Sequence, residues 1–502
     1  LWPRKLYWEV NTLFYFLLFL LKPKPMKNYL CLLAGMVLLL IPQFSFAQKT
    51  KQDVIKSIDA RYDQYSAAAK KIWDYAEVGF QETQSSALLQ QTLKDAGFSI
   101  QSNIGGMPTA FIATYGTGKP VIGILGEFDA LPGVAQEAVP ELKPIQGQVA
   151  GHACGHHLFG VASAAAAIAV KEWMIANKKT GTIRFYGTPA EEGGSGKVYM
   201  VREGAFNDVD AVVNWHPGAS NSAGYGSTLA NKNGKIRFYG VASHAAAAPE
   251  RGRSALDGVE AMNDMVNMLR EHVPMETRIH YVITRGGEAP NVVPAFAEVY
   301  YYVRNPNRDN VKSIWERVEL AAKGAAMGTG TRVEIEVTGG VYDLLGSETL
   351  AKAMDANLRI VGGYTYSEQE KQFALKIQES FKDQARPIES TNIIEPIRSF
   401  NGSASTDVGD VSWVVPTVGL STATWVPGTA PHSWQAVAAG GTSIGFKGMM
   451  MAAKTMALTV TDLFSNPVLV EESWKEFRKK RGENFKYKAL IGDRKPALDY
   501  RK

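Results

Sequence analysis

Short, β-rich, mainly apolar runs alternate with helical stretches through the first half of the chain. Val121–Leu125, Thr182–Tyr186 and Ala211–Trp215 read as strands, and an Ala-rich segment from about Leu158 to Ile175 reads as a helix. Strands and helices alternating at this spacing predict an α/β fold, a mostly parallel sheet with helices on both faces. The 158–175 helix is apolar or small on nearly every side (GVASAAAAIAV), which predicts burial rather than an amphipathic surface position. Upstream, Val54 to Glu77 and Ser85 to Ala96 read as helical. From Lys235 the pattern changes to strand (235–241), helix (254–272), strand (278–284), strand (295–304), helix (310–326) and strand (332–337). That βαββαβ order predicts an inserted ferredoxin-like domain over 235–341, between sheet-domain segments 48–234 and 342–480. The parent sheet is expected to resume with strands Val411–Val415 and Val418–Leu420 and a helix over 445–463.

The first 47 residues are patterned differently. From Met26 a basic start leads into an apolar run to Ile41 and then Ser45-Phe46-Ala47, the form of a secretory signal peptide. Residues 1–25 are read as an upstream extension, their apolar run Leu13–Leu21 being short for a bilayer. Export to the periplasm or exterior is the expectation, a retained anchor the alternative. Cleavage after Ala47 leaves Cys154 as the sole cysteine of a chain that has two, too few for a disulfide framework. Four of the five net positive charges lie in this leader, from Arg4, Lys5, Lys22, Lys24 and Lys27 against Glu9. The near-neutral remainder argues against a nucleic-acid partner or a stable membrane association. The basic stretch 481–502 reads as a solvated tail. With 45% hydrophobic and 21% charged residues in 502, the chain has material for two cores, and disorder is excluded.

Six of the eight histidines fall in short clusters after predicted strands or in Gly/Ala/Pro loops: His152, His156, His157, His216, His244 and His432. In open α/β sheets ligands bind beyond the carboxyl ends of strands, where such residues collect. Glu127 and Asp129 follow the first strand and suit the orientation of a metal ligand from behind. Cys154 and His156, two residues apart, suit one borderline-soft dication such as zinc. Glu191 and Glu192 follow another strand, adjacent carboxylates pointing different ways, so that one can hold a metal while the other serves as a general base. Gly193-Gly194-Ser195-Gly196-Lys197 is not a phosphate-binding P-loop, because the required first Gly falls on Glu191 and Val198 replaces the Ser/Thr. Cys154, His156, Glu192, His216 and His432 are more ligands than one tetrahedral ion needs, which points to two metals with a shared ligand.

Residues 70–490 resemble the M20 metallopeptidase and amidohydrolase family, in its aminoacylase and hippurate-hydrolase-like branch. The motifs that carry this are GEFDALPG, CGHHLFG, GTIRFYG, EEGGSGK, MVREG, NWHPG, GRSALD, STDVGDVSW and AAKTMA. The resemblance implies hydrolysis of N-acyl or N-aroyl amino acids, p-aminobenzoyl-glutamate among them, with two divalent ions (zinc or manganese) per subunit and Glu191 as general base. It implies Cys154 as the bridging ligand, His156 and His432 to one side, and Glu192 and His216 completing the pair. The inserted domain resembles a dimerisation lid, implying a homodimer, with a second, A-type subunit as another possible partner. There His244 would cross to the developing oxyanion of the other subunit, and Asn291 and Arg304 would hold the substrate carboxylate. His157 departs from the family, whose members carry Asp or Asn at that position. A cysteine hydrolase using Cys154, a dipeptidase or carboxypeptidase of the same family, and a non-catalytic binding homologue are the rival readings.

Overall fold

The computed structural model describes residues 51–501, so the leader expected over 1–47 lies outside the described residues. In chain order its strands begin with β1 (Ser99–Ser102), β2 (Phe111–Thr117), β3 (Val121–Gly126), β4 (Leu131–Pro132), β5 (Ala150–Gly151), β6 (Gly181–Gly187), β7 (Ala211–Gly218) and β8 (Ser222–Ser227). They continue as β9 (Ala230–Tyr239), β10 (Arg278–Arg285), β11 (Phe296–Asn305), β12 (Arg332–Val341), β13 (Arg398–Asn401) and β14 (Thr417–Ala423). The large sheet has the order β1-β2-β6-β3-β7-β14-β8-β13. Its centre, β6-β3-β7-β14, is parallel, whereas the pairings of β1 with β2, β2 with β6 and β8 with β14 are antiparallel, so the sheet is mixed at its flanks.

Layering explains the sequence pattern. All six residues of β3 are buried, because helices cover both of its faces, and a strand so placed has no reason to alternate. On one face the helix His156–Ala176 packs against β3, β6 and β7 and against the long helix Ser443–Ser465. On the other, Val198, Tyr199, Phe206, Val411 and Val415 close over Tyr186 and Val212. Gly160 lets the buried helix pass the end of β3: a Cβ there would lie 2.8 Å from the Glu127 carbonyl oxygen and 3.0 Å from a Leu89 methyl. Alanine at this position overpacks the contact, at a cost of about 1–3 kcal/mol. The run expected as strand Val411–Val415 is instead a helical turn, Val408–Ser412, followed by a buried Val415. A short, mainly apolar run suits a buried helix as well as a strand, and here the Asp410 carboxylate fixes the turn by accepting from the Tyr342 N–H (2.9 Å) and the Tyr487 hydroxyl (2.6 Å).

The second sheet, β10-β11-β9-β12, is antiparallel throughout and carries the helices Ala255–Leu269 and Arg308–Thr329, in the βαββαβ order expected. Ile236, Phe238, Val299, Tyr301, Val303, Trp315 and Val318 form its core. Ser254 and Asn307 start the two helices by accepting the N–H groups of Asp257 and Asp309. β9 and β12 extend past their apolar runs into Asn231–Gly234 and Thr338–Val341. Asn233 makes this polar stretch tolerable inside a sheet by accepting from the Tyr300 hydroxyl (3.1 Å) and the Thr338 hydroxyl (2.6 Å).

The stretch read as a solvated tail is not one. After the helix Pro467–Arg481, Ala489, Leu490 and Ile491 are buried, the Arg202 guanidinium donates to the Gly492 and Arg494 carbonyls, and the Tyr342 hydroxyl donates to that of Lys488. Basic side chains alternate here with apolar ones, and the charges reach solvent while the backbone lies against the sheet domain.

Candidate active site

β6, β3, β7 and β14 are adjacent and parallel, and the polar clusters follow their carboxyl ends. Glu127 and Asp129 leave β3, Glu191 and Glu192 follow β6, His216 lies near the end of β7, and His432 ends the loop after β14. Cys154 and His156 reach the same place because the helix starting at His156 runs back along the sheet. Gly155 makes the turn between them at φ 77°, and a Cβ there would strike Pro217 at 2.7 Å.

These side chains form two donor sets that share one sulfur: Cys154, His156 and His216, and Cys154, Glu192 and His432, each with donor atoms within 4.8 Å of one another. A third grouping joins Glu127, His156 and Glu191. Cys154 Sγ lies 3.4 Å from His216 Nε2, and His432 Nε2 lies 3.1 Å from Glu192 Oε1. The partition therefore sets His156 with His216 and Glu192 with His432, whereas the resemblance paired His156 with His432.

Hydrogen bonds fix the imidazoles. His156 Nδ1 donates to Asp129 Oδ1 (2.9 Å) and His216 Nδ1 to the Pro217 carbonyl (2.7 Å), leaving each Nε2 facing the cluster. Asp129 also accepts the Glu192 N–H at 2.9 Å, so one carboxylate orients two donors. Three buried polar atoms facing this space, His156 Nε2, Glu127 Oε2 and Glu192 Oε1, make no well-aligned hydrogen bond and meet only through ion-pair contacts, His156 Nε2 to Glu127 Oε2 at 3.0 Å and Glu192 Oε1 to His432 Nε2 at 3.1 Å. Burial works against an imidazolium at His156, but Cys154, Glu127 and Asp129 outweigh it and hold its pKa well above the ordinary value. Burial pushes the Cys154 thiol up. Burial, then the neighbouring Glu127, Glu192 and Asp407, also pushes the Glu191 carboxyl well above the usual carboxylate range. A surplus of acidic groups and a sulfur-imidazole-carboxylate donor set together suit divalent metal ions.

The Glu191–Gly194 turn runs between two non-glycine residues in left-handed conformation, Ala190 (φ 55°) and Ser195 (φ 58°). Each costs roughly 1–3 kcal/mol and persists only where its surroundings over-determine it. Here the Ala190 N–H is held by the Glu82 carboxylate (2.8 Å) and the Lys197 N–H by Asp407 (2.9 Å).

His152 and His157 stand behind the cluster. His152 Nε2 donates to the Ile72 carbonyl and His157 Nε2 to that of Gly440, the two rings 4.9 Å apart. Burial keeps both neutral, His152 near 3 and His157 well below its usual value. His157 is thus a packing residue, turned to the Gly440 carbonyl and the His152 ring. On the inserted domain His244 and Asn291 lie on paired loops, the Ala245 N–H donating to the Asn291 carbonyl at 3.0 Å, while Arg304 stands on β11 opposite Asn231. None of the three lines the cavity of about 580 Å³ that opens from the ligand cluster past Phe159, Trp215, Tyr225 and Phe400.

Lys197 and Asp407 were not anticipated. Lys197 Nζ is fully buried, 2.6 Å from Glu127 Oε1 and 2.7 Å from Asp407 Oδ1. Burial opposes its charge, but Asp407 and Glu127 outweigh that and hold its pKa above the lysine value. A lysine in a small-residue stretch is the only trace the sequence offers.

A two-domain α/β chain with a shared-sulfur donor set beyond its parallel strands, and a βαββαβ insertion, has the layout of a metallohydrolase. The M20 peptidase dimerisation domain matches residues 230–328. The B-type subunit of the p-aminobenzoyl-glutamate hydrolase of Escherichia coli (strain K12) is 42% identical over 447 residues, covering 84% of this chain and 93% of that protein. The Xaa-Arg dipeptidase of Mus musculus is 29% identical, covering 86% and 93%. Among solved structures, a dinuclear metal-binding M20 peptidase from Bacillus subtilis superposes with a TM-score of 0.55 at 17% identity, covering 81% of this chain and 99% of that one. The chain belongs to the M20 peptidase family, and it is a hydrolase of amide bonds.

Proposed function

We propose that this protein hydrolyses the amide bond between an acyl or aroyl group and an amino acid, with p-aminobenzoyl-glutamate as the substrate type, using two divalent metal ions. The observation that carries the reading is the pair of donor sets sharing Cys154 with Glu191 beside them. Cys154, His156 and His216 would hold one ion and Cys154, Glu192 and His432 the other. When bound, such ions polarise the scissile carbonyl and lower the pKa of water. Glu191, its carboxyl held well above the usual carboxylate range and lining the cavity, takes the proton of the attacking water and later passes it to the leaving amine. Phe159, Trp215, Tyr225 and Phe400 offer the apolar walls an aromatic acyl group requires.

The inserted domain supplies the remaining groups. His244 Nδ1 accepts the N–H groups of Ala246 (3.2 Å) and Ala247 (3.1 Å), so its proton sits on Nε2, which faces outward as a donor suited to an oxyanion. Asn291 and Arg304 are assigned to the substrate carboxylate. A homodimer through this domain is supported by the exposed edge strand β10, with Tyr281, Val282 and Ile283 open, and an A-type partner subunit is the other assembly to test. Export is supported by the leader pattern from Met26 to Ala47.

The test is hydrolysis of p-aminobenzoyl-glutamate, hippurate and a panel of dipeptides, before and after chelation and with zinc or manganese restored. Amide hydrolysis of N-aroyl amino acids that vanishes on chelation, with Cys154 becoming open to alkylation, is expected. Turnover that survives chelation favours the cysteine-hydrolase reading and overturns this one.

A further inference from the structure

The Glu191–Gly194 turn is gripped from a direction the family resemblance does not assign. The Tyr500 hydroxyl and the Arg501 guanidinium both donate to the Glu192 carbonyl oxygen, each at 2.9 Å. The opposite side of the same residue is held by Asp129 through the Glu192 N–H, so the peptide groups flanking Glu192 are clamped at both ends. The approach to this grip is fastened along its length. Arg494 donates to the Thr338 carbonyl (2.6 Å) and to the Glu336 carboxylate (3.0 Å) on β12 of the inserted domain. The Tyr199 hydroxyl donates to the Lys495 carbonyl, and the Gln81 amide to that of Leu498 at 2.7 Å. Phe80 packs edge-on against the Tyr500 ring, and Gly79 clears its path, since a Cβ at residue 79 would lie 2.2 Å from the Tyr500 oxygen.

We infer that Arg494–Arg501 is a strap that holds the Glu191–Gly194 turn in its strained course, with Tyr500 and Arg501 as positioning residues for Glu192. Asp129, Glu82 and Asp407 fix N–H groups on or beside this turn, and the strap fixes the carbonyl between Glu192 and Gly193. Two donors on one carbonyl define its plane, and the orientation of that peptide sets where the Glu192 and Glu191 side chains leave the backbone. Because the same strap is tied to β12, the turn that carries the proposed base and ligand is joined directly to the inserted domain.

The experiment compares wild type with Tyr500→Phe/Arg501→Ala, which removes both donors and keeps the ring against Phe80. Hydrogen exchange at the Glu192 and Gly194 amides is measured by mass spectrometry in chelated protein, alongside manganese affinity, kcat and KM. Exchange at the turn is expected to rise at least about tenfold with the rest of the sheet domain unchanged. Metal affinity should fall about 10- to 100-fold, the usual effect of losing a group that orients a ligand. kcat should fall with KM within about twofold, and Arg501→Lys, tested alone, should keep most of the protection. Unchanged exchange at the turn overturns the strap. The functional part rests on the metal reading of Glu192: faster exchange with unaltered metal affinity supports the strap and refutes that ligand assignment instead.

Discussion

Lys197→Met isolates the buried charge cluster beneath the site. Lys197 Nζ lies between Glu127 and Asp407 at 2.6 and 2.7 Å, and all three side chains are at most 1% exposed. Removing the cation leaves two buried carboxylates, and breaking such an arrangement from one side costs about 3–5 kcal/mol. The chain has two ways to soften the loss. Asp407 keeps its bond from the residue 197 N–H, and a stranded carboxylate can take up a proton, at about 1.4 kcal/mol for each unit by which pH exceeds its ordinary pKa. The second route gives the effect a sign. Burial already raises the Asp407 carboxyl and Lys197 opposes that rise, so in the variant its folded-state pKa climbs further above the unfolded value, and the deficit is full at pH 8 and shrinks as pH falls toward 5. Urea unfolding of chelated protein, followed by tryptophan fluorescence, should show a lower midpoint with an unchanged slope. Lys197→Met/Asp407→Asn should recover part of the loss. A variant within about 1 kcal/mol of wild type at pH 8, or a deficit independent of pH, would refute the cluster as the account of Lys197.

Glu191→Gln should bind metal normally while kcat falls at least about a hundredfold, as expected for loss of a general base, and near-normal turnover would remove Glu191 from that role. Glu476 accepts the Glu348 and Thr349 N–H groups at the start of the helix Glu348–Val361 and pairs with Lys480 at 2.7 Å. Burial opposes its charge, but Lys480 and these N–H groups prevail and pull its carboxyl down to about 2. Its contribution, about 1–2 kcal/mol after allowance for its partial exposure, is present above the unfolded carboxylate range and lost as pH drops from about 5 toward 2; Glu476→Gln should therefore flatten the acid limb of the stability curve, and an unaltered limb would count against it. Mixing inactive His244→Ala with inactive Glu191→Gln should restore part of the activity if the lid histidine acts across a dimer; verified mixed dimers that stay inactive would confine His244 to its own chain.

How much of this was legible depended on whether a feature is local. β3 is a continuous apolar run because both faces of the sheet are covered, β6 and β7 are nearly so, broken within their runs by the half-buried Arg184 and Asn214, and the βαββαβ insertion shows in the spacing of its runs. Strands at the margins were harder to see. β1, β8 and β13 are short and partly exposed, with polar or small residues such as Ser99, Gly224 and Asn401, so no apolar period marks them. The 230–234 and 338–341 ends of the connecting strands were missed for a related reason: Asn233 is buried there by hydrogen bonding, not by hydrophobicity.

The site divides in the same way. Cys154, His156, Glu191, Glu192 and His216 each follow or end a strand or open a helix, so chemistry and position agree within a few residues. Which of these donors group together in space is a different kind of fact. Glu192 follows β6 and His432 follows β14, with β3 and β7 between them in the sheet, and chain order gives no reason for the two to meet. They meet because the loop after β14 folds back over the strand ends: the His432 N–H donates to the Ala153 carbonyl at 3.1 Å, and His432 takes φ 61° to do so. The left-handed backbone at a non-glycine residue, held by the loop that carries Cys154, brings the His432 imidazole to Glu192 rather than to His156. Lys197 with Asp407, and Tyr500 and Arg501 with Glu192, are likewise partnerships across 210 to 309 residues of chain, visible only once the fold has closed.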